Sequence, residues 1–77
     1  MQAQTNQQLN YESLHLHNRL LRFPAVQDRV GLCRSQIYSL IAQHRFPPPI
    51  KIGVRASAWS EIEVSQWIDE RISESRQ

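Results

Sequence analysis

Residues 31–41 read GLCRSQIYSLI. Ile37, Leu40 and Ile41 fall at i, i+3 and i+4, the spacing that collects side chains on one face of a helix. At about 100° per residue, Ser35, Tyr38, Ser39 and Ala42 then project to the opposite side, with Gln36 and Gln43 on the flanks. That outer face is small, polar and almost uncharged. A helix that meets only water usually carries Glu and Lys there, paired at i, i+4. The pattern therefore points to an outer face meant for another molecule.

The flanking residues say what the helix belongs to. Upstream, RLLR at 19–22 reads as a short extended segment, and FPAVQDRV at 23–30 places Pro24 where a helix tolerates it, in the first turn. Ala25, Val26 and Val30 give this helix its apolar stripe; Gly31 ends it as a C-cap, and Leu32 returns the chain to the core. Cys33 stands just before the next helix, where Ser, Thr, Asp or Asn would cap better. Two short helices joined by about three residues, with Gly opening the turn, form a helix-turn-helix.

Downstream, HRFPPPIKIGVRASAW contains three consecutive prolines, which forbid helix and force an extended backbone. Ile50–Ile52 and Ala56–Trp59 read as the strands of a β-hairpin, with Gly53 placed for a tight turn and Arg55 at the tip. Ser60 and Glu63 match a capping box, Ser60 taking the Glu63 amide and Glu63 reaching back to the Ser60 amide. Val64, Trp67, Ile68 and Ile72 then mark an amphipathic helix from about Glu61 to about Glu74. Trp59 and Trp67 are expected in the core between hairpin and closing helix. The fold class is thus mainly α with a small β-hairpin wing, a winged helix-turn-helix over 19–77. Residues 1–18, of which 1–10 are rich in Gln and Asn, are expected to be flexible.

Seventy-seven residues make one domain at most, with a thin core and no deep catalytic cavity. The formal net charge of +2 hides a split. Between Arg19 and Arg55 there are seven Lys or Arg against Asp28 alone; from Ala56 onward, Arg71 and Arg76 face five carboxylates. A basic middle implies an anionic partner. No apolar run approaches the roughly 20 residues of a membrane span, and no secretory pattern is present. Cys33 has no partner for a disulfide, so a cytoplasmic protein without membrane contact is expected. His15, His17, Cys33 and His44 match no zinc spacing, and no metal or other cofactor is expected. Cys33 is expected to be a packed thiol, since no base lies near it in sequence. With no acid–base pair, nucleophile constellation or phosphate loop, the chain reads as a non-enzyme.

At roughly residues 20–72 the sequence resembles the AlpA family of phage and prophage regulatory proteins, small winged helix-turn-helix DNA-binding proteins related to the MerR and excisionase-like group. GLCRSQIY stands for the family's Gly-Leu-Ser-Arg-Ser-x-Ile-Tyr, RFPPPIKIG for its Phe-Pro-x-Pro-x-x-x-Gly, and W…EVSQWI for its Trp and closing helix. Cys33 departs from the family's capping Ser, a change that costs on the order of 1 kcal/mol if the cap is lost. The resemblance implies that residues 34–43 form the recognition helix, that the hairpin is the wing, and that the chain regulates genes of a prophage or integrated element.

Side-chain chemistry agrees with a double-stranded DNA partner. A major groove about 12 Å wide admits a helix whose outward side chains are short and polar. Ser35 and Ser39 satisfy both conditions, and Gln36 can pair bidentately with adenine. Arg34 at the helix start is expected to grip a phosphate, as is the Tyr38 hydroxyl. Arg45 and Lys51 suit the flanking backbone, and Arg55 suits a narrow minor groove. One such module buries only about 600–1,000 Å² on DNA, so tandem or paired copies are expected. Two other readings compete: an excisionase-like factor that bends DNA and recruits an integrase, and an adaptor that docks a protein partner. An integrase, RNA polymerase or a second copy of the chain is a candidate partner for the acidic closing helix.

Overall fold

A computed structural model describes residues 18–76. Apart from Asn18, the segment expected to be flexible lies outside the described residues, as do His15 and His17. In chain order the elements are β1 (Leu20–Leu21), α1 (Phe23–Val30), α2 (Arg34–Ala42), β2 (Ile50–Gly53), β3 (Ala56–Ser60) and α3 (Glu61–Ser75). This is the winged helix-turn-helix expected from the sequence.

Local chemistry sets each helix boundary. Pro24 sits in the first turn of α1, where its missing N–H would have had no helical partner, and the Ala25 and Val26 amides bond to the Arg22 carbonyl at 3.0 and 3.1 Å. Gly31 ends α1 at φ 72°, a left-handed conformation natural to glycine, and its amide bonds to the Gln27 carbonyl at 2.8 Å. The start of α2 is not left open by Cys33. Gln36 turns back so that its Oε1 accepts from the Cys33 amide at 3.0 Å, and the Cys33 sulfur takes the Gln36 amide in return. A capping box thus closes with sulfur, a weaker acceptor, in place of a hydroxyl.

At its other end α2 closes on a left-handed His44, φ 60°. The His44 amide bonds to the Ile41 carbonyl at 3.0 Å and the Arg45 amide to the Leu40 carbonyl at 2.8 Å. Those two bonds define a Schellman motif, here with His where Gly is usual. Ser60 caps α3 by accepting from the Glu63 amide at 3.4 Å. Its own backbone belongs to β3, opposite Leu20.

The sheet has one more strand than a hairpin. β3 lies centrally in the antiparallel order β1-β3-β2, pairing Leu20 with Ser60 and Leu21 with Trp59 on one side, and Ile50 with Ala58 and Lys51 with Ser57 on the other. Gly53 does not make the turn. It ends β2 opposite Ala56, with an irregularity between Lys51 and Gly53, and Val54 and Arg55 form the tip. A Cβ at Gly53 would meet the Ala56 Cβ at 3.4 Å, an ordinary contact distance.

Leu21, Val26, Ile37, Phe46, Trp59 and Val64 form the core, one from each element except β2, with Phe46 from the segment between α2 and β2. Phe23, Val30, Leu32, Leu40, Ile41, Trp67 and Ile68 pack around it. The two indoles also fix the proline segment: Trp59 Nε1 donates to the Pro47 carbonyl at 3.0 Å, and Trp67 Nε1 to the Arg45 carbonyl at 2.7 Å. Phe46 meets Trp67 edge to face at 4.9 Å. No described helix is long and apolar enough to cross a membrane.

Candidate nucleic-acid interface

The inward face of α2 is Ile37, fully buried, flanked by half-buried Leu40 and Ile41. That burial turns Arg34, Ser35, Gln36, Tyr38 and Ser39 outward, and all five are exposed. Arg45 is exposed just beyond the helix, Lys51 on β2 and Arg55 at the hairpin tip. Beside Arg55, Val54 is 90% exposed. Shallow concavities flank the first half of α2, one bounded by Cys33, Arg34, Ser35 and Tyr38, the other by Leu32, Ser35, Gln36, Ser39 and Leu40.

Several of these side chains have intramolecular work. With one lone pair of Oε1 taken by the Cys33 amide, Gln36 is drawn back toward the helix start, and bidentate pairing with adenine competes with that cap bond for the orientation of its amide. Ser39 Oγ accepts from Gln43 Nε2 at 3.1 Å, leaving its own O–H free to donate. The Tyr38 ring stacks on Phe23 at 5.6 Å and meets Trp59 nearly edge-on at 6.5 Å.

Cys33 is exposed, which corrects the expectation of a packed thiol. Its place at the helix cap, rather than on an inward helical face, is the reason. The Ser35 hydroxyl at 3.3 Å and then the Gln36 amide hold the thiol below its ordinary pKa, since both favour the thiolate.

Ion pairing sorts the cations. Arg29 Nη1 reaches Glu61 Oε2 at 2.8 Å and its Nη2 donates to Ser65 Oγ at 2.9 Å, while Arg19 approaches the same carboxylate at 3.8 Å. These contacts tie the end of α1 and the start of β1 to the first turn of α3. Arg71 pairs with Glu74 at 2.9 Å and Glu70 at 3.9 Å and covers the Trp67 ring. Arg34, Arg45, Lys51 and Arg55 have no carboxylate partner among the described residues. The basic middle of the sequence is therefore smaller as a surface than as a count.

Phe23 and Glu61 were not legible as parts of this arrangement. A Phe beside Pro at a helix start reads simply as core, and a Glu in a first turn reads as a dipole partner.

A helix pair joined by three residues, a hairpin extended to three strands and a closing helix together define a winged helix-turn-helix protein. The chain belongs to the family described as prophage CP4-57 regulatory protein (AlpA), whose model matches residues 19–72. It is 44% identical over 55 residues to the ORF88 protein of Enterobacteria phage P4, covering 71% of this chain and 62% of that one. The chain thus spans less than two thirds of the phage protein's length. It is 32% identical over 59 residues to the DNA-binding transcriptional activator AlpA of Escherichia coli (strain K12), covering 69% of this chain and 84% of the relative.

Proposed function

We propose that this chain is a sequence-specific DNA-binding transcriptional regulator of a prophage or integrated mobile element. The observation that carries this reading is the outer face of α2, where Ser35 and Ser39 stand exposed between Arg34 and Arg45 and no carboxylate interrupts them. Short side chains allow the helix axis to sink into a major groove, and hydroxyls can meet any base edge as donor or acceptor. Arg45 and Lys51 then meet the backbone beside the helix, the Tyr38 hydroxyl adds a phosphate contact, and Arg55 at the wing tip enters the adjacent minor groove. Family membership and the activator named in Escherichia coli support the same assignment.

Footprinting of fragments captured from the source genome at about 150 mM salt tests it, because non-specific affinity is already weak there. One or a few short sites beside integrase or prophage genes are expected. Ser39→Arg or Arg55→Ala is expected to weaken binding with the circular dichroism spectrum unchanged. Unchanged affinity in both variants would remove the assigned surface, and fragments recovered only at background would remove DNA as the partner.

A further inference from the structure

Arg34 is the one arginine among the described residues held by aromatic rings with no carboxylate partner; Arg71, over Trp67, is paired with Glu70 and Glu74. The Arg34 guanidinium carbon lies 4.8 Å from the centre of the Phe23 ring and 5.2 Å from that of Tyr38. Those rings stack on each other at 5.6 Å with an interplanar angle of 25°. Behind them stands Trp59, 5.7 Å from Phe23, itself buried and anchored through its indole N–H to the Pro47 carbonyl. The guanidinium is thus backed by an aromatic stack that runs into the core. Its N–H groups meet no carboxylate and make no hydrogen bond among the described residues, whereas Arg19, Arg29 and Arg71 are each paired.

A phosphate contact does not call for such support. Attraction to the DNA backbone is long-ranged and weakly directional, and flexible side chains provide it well. A fixed guanidinium plane with a free donor edge is instead what bidentate pairing to guanine O6 and N7 demands. Arg34 is also the first residue of α2, and recognition helices contact base edges through their N-terminal residues.

We infer that Arg34 reads a guanine in the major groove, and that Phe23 and Tyr38 are positioning residues that hold its plane. This replaces the phosphate contact expected at Arg34 from sequence, and it rests on the DNA-binding reading above.

The test is selection of binding sites from a pool of randomised duplexes, followed by affinities for every single-base variant of the preferred site. The full chain is expected to require guanine at one position. Arg34→Lys, which keeps the charge, is expected to lose discrimination at that position by about 10-fold or more while preferences elsewhere stay in place. Phe23→Leu is expected to lose part of the same discrimination, and Phe23→Tyr, which keeps the ring, to retain it; Tyr38→Phe keeps the ring but removes the proposed phosphate contact, so it is expected to lower affinity at every site while leaving the discrimination in place. A merely structural role for Phe23 would lower affinity at all sites alike.

If Arg34→Lys weakens every sequence equally, Arg34 is a phosphate contact and the inference is overturned while the DNA-binding reading survives. If the wild-type chain enriches no sequence at all, both fall. Should Phe23→Leu fail to fold, Arg34→Lys decides alone.

Discussion

The pairing of cations within the fold sets how steeply DNA binding should depend on salt. Each phosphate neutralised on duplex DNA contributes about −0.9 to the slope of log K against log salt. Arg19 and Arg29 share the Glu61 carboxylate, whose side chain is only 14% exposed, and Arg71 faces Glu70 and Glu74. Six cations are unpaired among the described residues, and four of them, Arg34, Arg45, Lys51 and Arg55, belong to the proposed surface, whereas Arg22 and Arg76 do not. With all four on phosphates the slope is about −3.6, and with Arg34 on a base it is about −2.7. Raising salt from about 50 to about 200 mM should therefore weaken binding by roughly 40- to 150-fold. Fluorescence anisotropy with a footprinted duplex measures this directly, and Lys51→Gln should reduce the slope by about 0.9. A slope of about −6 or steeper would exceed what all six unpaired cations supply and would require paired arginines such as Arg19 and Arg29 to leave Glu61 for DNA, which would refute the assignment of binding cations from ion pairing.

Three further outcomes follow from the geometry. His44→Gly relieves a left-handed residue worth about 1–2 kcal/mol, offset by about 0.4–1 kcal/mol of added unfolded-chain freedom. A net gain of about 0.5–1 kcal/mol is expected, seen as a melting temperature higher by about 3–6 °C; a fall would refute the strain argument. Glu61→Ala leaves Arg29 without its 2.8 Å partner and should destabilise the fold by about 1–2 kcal/mol in urea unfolding, while raising non-specific DNA affinity by freeing two cations. For Cys33, the hydrogen bond from Ser35 favours the thiolate, so the alkylation rate of the folded chain should rise at lower pH than that of the urea-unfolded chain. Ser35→Ala should move that midpoint upward, and coincident profiles for folded and unfolded chain would remove the effect.

Every helix and both hairpin strands were legible in the sequence, because each boundary is written in local chemistry. Pro24 and Gly31 bracket α1, the proline run stops the chain after α2, and Ser60 opens α3. The pairing of β1 with β3 was not legible. Leu20 and Leu21 lie about 40 residues from Trp59 and Ser60, and two residues carry no alternation from which to read a partner strand. His44 also escaped notice, since only glycine and asparagine announce a left-handed C-cap. Gly53 misled for the converse reason. A glycine next to a hairpin reads as the turn itself, yet here it ends β2, and Val54 and Arg55 make the turn.

For the candidate site, sequence identified which residues face outward but not which of them are free to act. Exposure follows from helical periodicity once Ile37 is placed in the core, and all eight candidates are exposed. Freedom depends on neighbours distant in sequence or on side-chain rotamers, and pattern reading sees neither. Gln36 illustrates the difference: Ser at position 33 would have capped α2 with a strong oxygen acceptor, whereas sulfur accepts weakly. The return bond from Gln36 Oε1 then carries more of the cap, and drawing that side chain onto a base would loosen the helix start where Arg34 is anchored. Base contact by Gln36 and a rigid Arg34 therefore compete within one turn of α2. On the inference that Arg34 reads a base, its aromatic backing favours Arg34 as the proposed reader and leaves Gln36 as the clamp.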